Sequence, residues 1–346
     1  MSNWISSQSL YSGLRQSIVK TQAELATRTT ELSTGQHADV GLSLADRAGM
    51  LVSLESQKDA LDTISSTNEL ASNRLGTTQT ILDQMQNSAQ NLMNDLITDD
   101  GSTTNASAIE SIAKTGLDAF IGQLNSSMSG DFIFAGINSS TKPMTDYSGS
   151  SANKLAVDDA FLAKFGMSQT DPGVGSISAA DMQDFLDTQF TSLFQASNWT
   201  GDWSSASDEP LAQKISPSQW TNTSITANAA PFRQLAEAYT MLADLGTAQL
   251  SKETLSVVTT SARDLLGSAI SGLVQLHTDA GIAQSTIEDA NQQMQIQSGL
   301  LETQVNGLTN IDPYEVSSRI SELQTQLETS YALTAKISQL SLVYYL

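Results

Sequence analysis

The sequence contains no cysteine. Disulfide frameworks, zinc–thiolate sites and thiol catalysis are thereby excluded. Histidine is almost as scarce: His37 and His277 are the only two, which leaves little for a histidine metal cluster or a Ser/His/Asp triad. An aromatic share of 6% points to cores built from aliphatic helix seams. Charged residues make up 15% of the chain, against about 25% in an average domain. Their balance is one-sided, 37 acidic to 16 basic, for a net charge of −21. That sign opposes the phosphate neutralisation that drives nucleic-acid binding, so no nucleic-acid partner is expected. No stretch approaches the roughly 18 consecutive apolar residues of a membrane span, and no membrane insertion is expected. The start, Met1 to Ile5, lacks the basic and apolar regions of a secretory signal. It suits a cytosolic chain, or one exported with its N-terminus kept.

What is present is helical periodicity. Tyr11, Leu14, Ile18, Thr21, Leu25, Arg28 and Leu32 keep the 3, 4 spacing of a coiled-coil seam, weakened by its two polar members. The pattern stops at Ser33-Thr34-Gly35, where glycine suits a left-handed cap. A second run starts near Leu44. Its clearest part is Leu75, Thr78, Leu82, Met85, Ala89, Leu92 and Leu96, and it predicts one helix of about 50 residues, roughly 75 Å long. A turn is expected at Asp99 to Ser102, a shorter helix over Ile109 to Met128, and an apolar strand over Ser129 to Gly136. From Phe232 the helical spacing returns. Leu266, Ile270, Leu273, His277, Ala280, Gln284, Ile287, Asn291, Met294, Ser298, Leu301, Val305 and Leu308 hold the seam. Asp312-Pro313 then caps and starts a last helix carrying Ile320, Leu323, Leu327, Leu333, Ile337, Leu340 and Tyr344 towards a partner.

The expected fold is mainly α. A long antiparallel helical bundle or coiled coil is formed by N- and C-terminal arms, with an inserted mixed α+β or β-rich outer domain. Three parts are expected: residues 1–40 with 311–346 as a terminal coiled coil, 41–135 with 232–310 as a long-helix bundle, and 136–231 as a compact, solvent-facing insert. The terminal helices have one apolar stripe and little else to pack on. Ordering a residue's backbone costs about 1–2 kcal/mol, so these helices are expected to order only against neighbouring subunits. The assembly interface is expected at Leu14, Ile18, Leu25, Leu32, Ile320, Leu323, Leu327, Ile337, Leu340 and Leu346. The alternative is a private hairpin within one chain, which predicts ordered termini in the monomer.

Three segments carry a resemblance to a family. Glu31-Leu32-Ser33-Thr34-Gly35 resembles the segment closing the first helix of bacterial flagellins. Gly130-Asp131-Phe132-Ile133-Phe134-Ala135-Gly136, with Lys142-Pro143-Met144 after it, resembles the strand and turn that enter the outer domain in this superfamily. The end, Ser330 to Leu346 with its Leu340-Ser341-Leu342-Val343-Tyr344-Tyr345-Leu346, is similar to that of the hook–filament junction proteins (hook-associated protein 3 type). The likeness spans about 1–145 and 230–346. Ser66 to Arg74 lacks the Asp-Gly of filament flagellins, which favours the junction branch, whereas Asp312 to Val316 matches the junction branch's acidic segment in position but not in spacing.

The resemblance implies a structural, non-enzymatic, extracellular flagellar protein with no cofactor and no metal. It would leave the cell through the flagellar type III channel without a cleaved signal peptide. The implied partners are a hook-side junction protein (hook-associated protein 1 type), flagellin, a ring of like subunits and a flagellar export chaperone. Filament flagellin is the alternative within the class. Outside it stand a type III translocator, which needs an apolar hairpin not found here, and an enzyme carried by the insert.

Other features have plainer readings. His37 reads as a solvated turn residue and His277 as a core or buried-polar histidine. Asp99-Asp100 and Asp158-Asp159 read as turn formers rather than acid/base or Ca²⁺ pairs, since the EF-hand pattern is absent. Trp199, Trp203 and Trp220 read as the core of a small domain rather than a sugar-binding face. The glycosylation patterns Asn125-Ser126-Ser127 and Asn198-Trp199-Thr200 are short enough to recur by chance. No Walker loop, G-x-S-x-G or G-x-G-x-x-G is present.

Overall fold

The structure, a computed structural model, describes residues 7–98 and 103–343. Its helices are α1 (Ser7–Thr34), the short α2 (Val40–Leu44), α3 (Ala48–Thr98), α4 (Thr103–Leu124), α5 (Ala152–Phe165) and α6 (Ala179–Phe185). Next come the single turns α7 (Thr191–Leu193) and α8 (Ala196–Asn198), then α9 (Ala230–Asp244), α10 (Lys252–Thr309) and α11 (Pro313–Val343). Two antiparallel hairpins complete the set, β1 (Ser127–Met128) with β2 (Asp131–Phe132) and β3 (Ala212–Ser216) with β4 (Gln219–Asn222). The expected long helix is α3, of 51 residues, and α10 is longer still at 58. The turn expected at Asp99 to Ser102 lies outside the described residues.

The chain divides into two compact units, residues 1–62 with 295–346 and residues 63–294. This partition differs from the three segments expected. The aromatic side chains of 136–231 do not close a core of their own: Phe161, Phe185, Phe190, Trp199 and Trp203 belong to one hydrophobic cluster with Leu82 to Leu96 of α3, α4, α9 and the first turns of α10. All seven seam residues from Leu75 to Leu96 are buried, as their spacing requires.

Of the two arrangements expected for the inserted segment, it has the mixed α+β one: short helices, the β3–β4 hairpin, and π-helical turns at Leu186–Phe190 and Trp199–Trp203. Trp199 and Trp203 are fully buried, but Trp220 on β4 is 65% exposed and takes no part in the core. Hairpin β3–β4 is anchored from below. A bulge between Lys214 and Ser216 frees the Ile215 carbonyl from the ladder, and the buried Asn68 amide donates to it at 2.8 Å and to Asn291 Oδ1 at 2.7 Å.

The strand expected from Ser129 to Gly136 is shorter than its apolar run suggests. Ser129, Gly130 and Gly136 all have positive φ, 56°, 95° and 62°, so the chain turns sharply at both ends. Between these turns Ile133, Phe134 and Ala135 enter the core, and Ala227 N–H donates to the Phe134 carbonyl at 2.8 Å. Gly136 is irreplaceable here: a Cβ would lie 2.4 Å from the Glu209 carbonyl oxygen. Gly136→Ala is expected to lower the stability of residues 63–294 by roughly 3 kcal/mol, combining the left-handed penalty with a backbone clash. Urea unfolding monitored by tryptophan fluorescence measures it.

Candidate assembly surface

Helices α1 and α11 pack on each other. Contacts at their ends and middles show that they run antiparallel. Ile311 N–H donates to the Gly35 carbonyl at 3.0 Å and His37 N–H to the Thr309 carbonyl at 3.0 Å. Farther along, Arg319 reaches Glu24 at 3.0 Å, and Gln22 Nε2 donates to Tyr331 Oη at 2.6 Å. The turn after α1 is built locally. Gly35 closes α1 at φ 76°, and its N–H donates to the Glu31 carbonyl at 2.8 Å. Asp312 caps α11 by accepting from Tyr314 N–H at 2.8 Å, with Pro313 at the first helical position.

Glu31 is the buried electrostatic centre of this turn. It takes Arg28 Nη1 at 2.8 Å and Ala38 N–H at 3.1 Å, and His37 Nδ1 lies 3.7 Å away. Burial alone would raise its pKa, but the Ala38 N–H, the Arg28 bond and charge, and His37 outweigh it and hold the carboxyl below its ordinary value. Arg28 therefore sits on the seam as the partner of a buried acid. The i, i+3 spacing of Arg28 and Glu31 was the available signal in the sequence. His37, read as a solvated turn residue, is half-buried and tied to Thr309.

The ten interface residues expected from sequence fall into separate environments. Leu323 and Leu327 are buried in the α1–α11 pairing, at 1% and 8% exposure. Leu14, Ile18, Leu25, Ile320 and Ile337 are half-buried, and Leu32 is exposed. Leu340 lies in α11, but its side chain, like the whole of Leu346, is outside the described residues. The private hairpin is thus the arrangement within one chain. Besides Leu32 it leaves outside Leu333 on α11, which the sequence also places towards a partner, and two side chains that the expected interface did not include, Val19 on α1 and, further out, Tyr314. Val19 lies off the 3, 4 stripe, and Leu333, six residues after Leu327, falls out of its phase. Of the twenty large hydrophobic side chains exposed among the described residues, eleven belong to residues 1–62 and 295–346, the smaller unit.

The bundle's other candidate groups are structural. His277 is half-exposed at the edge of the seam, 3.4 Å from Asp83, rather than in the core. Asp158 and Asp159, read as turn formers, lie inside helix α5, where Asp158 pairs with Lys154 one turn earlier and accepts from Gln169. Asn125 is held by Met144 through both amide atoms. Among the described residues no three metal-ligating side chains converge, and no helix is long and apolar enough to cross a membrane.

The same two helical arms are what the family comparisons match. Residues 5–139 match the bacterial flagellin N-terminal helical region, and residues 264–346 match the bacterial flagellin C-terminal helical region. The chain belongs to the flagellin superfamily. It is a structural subunit of the bacterial flagellum. Among solved structures, a candidate flagellar hook-associated protein from Vibrio parahaemolyticus has a similar fold, with a TM-score of 0.51 at 11% identity. The match covers 77% of this chain and 100% of that one. A search of curated proteins finds no match. In this flagellin-superfamily chain the two matched arms are the ones carrying α1 and α11, while most of the insert lies outside both matches.

Proposed function

We propose that this chain joins the hook to the flagellin filament, as a ring of like subunits between a hook-side junction protein and the first flagellin layer. The observation that carries association is the terminal hairpin. Its inner seam is filled within the chain by Leu323 and Leu327, while Val19, Leu333 and Leu32 stay outside. A neighbouring copy or a flagellin that covers those side chains gains about 25 cal/mol per Å² of apolar surface removed from water. The junction role, rather than the filament, is supported by the Leu340 to Leu346 ending and by the missing Asp-Gly near Asn68. Export through the flagellar channel, with a chaperone covering the terminal helices beforehand, fits a chain that leaves this much apolar surface exposed. No catalytic role is assigned to the insert.

Deleting the gene tests the proposal directly, by electron microscopy of the cells and immunoblotting of flagellin in the medium. The expected result is hooks without filaments and flagellin released as monomer. Hooks without filaments and without a major secreted subunit would make this chain the flagellin itself. Normal filaments, with no related gene to compensate, would overturn both.

A further inference from the structure

Helix α9 buries a carboxylate that its surroundings leave under-compensated. Glu237 is 5% exposed, accepts one hydrogen bond, from Thr191 Oγ1 at 2.6 Å, and makes no ion pair among the described residues. Arg233, one turn earlier, gives Nη1 to the Phe194 carbonyl at 3.2 Å, and its Nε is buried without a partner. Thr240 Oγ1, one turn later, is buried and unpartnered as well. Asp244, seven residues on and on the same helical face, is the contrast: Tyr147 Oη donates to it at 2.5 Å and Lys154 Nζ lies 3.2 Å away. One carboxylate on this face is touched by a hydroxyl and a cation, the other by a hydroxyl, with the Arg233 charge acting on it only from a distance. A buried carboxylate so poorly served favours its neutral form.

Other charges do not reach Glu237. Asp184 and Asp187, ahead of Thr191, are exposed, as are Lys114 and Asp118 on α4. Glu110 on α4 faces Thr247, and Arg263 on α10 turns to Thr260. Burial pushes the Glu237 carboxyl up to about 7, against the lowering pull of Thr191 and then Arg233.

We propose that Glu237 is a pH switch set between α9 and the aromatic segment 186–203, closing that seam when protonated and loosening it when ionised. The direction comes from linkage. The folded chain holds this proton more tightly than the unfolded one, so the contribution to stability is full below the ordinary carboxylate range. It is lost as pH rises through about 7. The segment that loosens carries both π-helical turns and ends in the stacked Trp199–Trp203 pair, which makes the opening visible.

The test is near-ultraviolet circular dichroism of the full chain between about pH 5.5 and about pH 9, a range that brackets the expected titration. The tryptophan signal is expected to change reversibly with a midpoint near neutrality. Glu237→Gln, which keeps an acceptor for Thr191, should hold the low-pH signal throughout. Thr191→Val, which removes the one donor favouring the charged form, should move the midpoint upward. An unchanged midpoint in Glu237→Gln, or no change in the wild type, overturns the proposal. If the glutamine variant does not fold, infrared spectra of the wild type and Thr191→Val decide. Burial raises Asp244 as well, so the band must respond to Thr191→Val. A buried carboxylic-acid band lost as pH rises past neutrality and shifted by that variant supports the switch, and no band at about pH 6, or one the variant leaves unmoved, defeats it.

Discussion

Replacing Leu323 and Leu327 together by aspartate is expected to unpair the terminal helices while leaving residues 63–294 folded. Both leucines are buried in the α1–α11 pairing, and truncating a buried leucine costs about 2–5 kcal/mol. Aspartate adds the burden of burying a charge without a partner. What remains is the turn, with its Ile311–Gly35 and His37–Thr309 backbone bonds, and half-buried side chains along the seam. The Arg319–Glu24 and Gln22–Tyr331 contacts are exposed, and such surface pairs contribute about 0–1 kcal/mol each. The hydrophobic clusters of residues 63–294 contain no side chain from the other unit, so their unfolding transition should not move. Circular dichroism should therefore show lost helix with an unchanged main transition, and hydrogen exchange should place the loss at α1 and α11. Filament growth from purified hooks should fail. A second variant separates pairing from association. Val19→Asp with Leu333→Asp places charge on side chains that are 60% and 48% exposed; it should keep the hairpin and still block assembly. Normal assembly by that variant would mean the outer face of the hairpin is not an interface.

The contrast between these variants bears on what was legible in the sequence. Helical periodicity located α1, α3, α10 and α11, and the stop at Gly35 and start at Asp312-Pro313 were readable because capping chemistry is local. The partner of a seam is not local. A stripe of leucines states that something covers it, and the same stripe serves a neighbour in the chain or a neighbouring subunit. Leu323 and Leu327 went to the first; Val19, off the stripe, and Leu333, out of phase with Leu327, remain open to the second. The packing of the insert was not legible for a related reason. Its residues lack a long period because each short element answers to a shared core. Tyr147 stacks on Trp203 across more than 50 residues of chain, a pairing no short window of sequence contains. The positive φ of Ser129, a residue without glycine's freedom, likewise cut short a strand that its apolar content favoured.

Trp203→Ala is expected to be the most damaging single substitution in residues 63–294, at about 3–5 kcal/mol. That is a large share of the roughly 5–15 kcal/mol by which a domain is stable. The ring is the hub of the aromatic core. It stacks on Tyr147 at 5.3 Å and on Trp199 at 5.4 Å, with Phe194 tilted against it at 5.2 Å. Its removal leaves a cavity and also unseats Tyr147, whose hydroxyl helps to compensate buried Asp244. Aromatic packing and the polar contacts of α9 should therefore fail together, and the loss should exceed what ring burial alone accounts for. Trp220→Ala, on the exposed face of β4, should change stability by no more than about 0.5 kcal/mol. Urea unfolding of the two variants, with Tyr147→Phe and its combination with Trp203→Ala completing a double-mutant cycle, measures the coupling. If the two losses simply add, Trp203 does not position Tyr147, and the aromatic core and the Asp244 contacts are independent supports of the same helix.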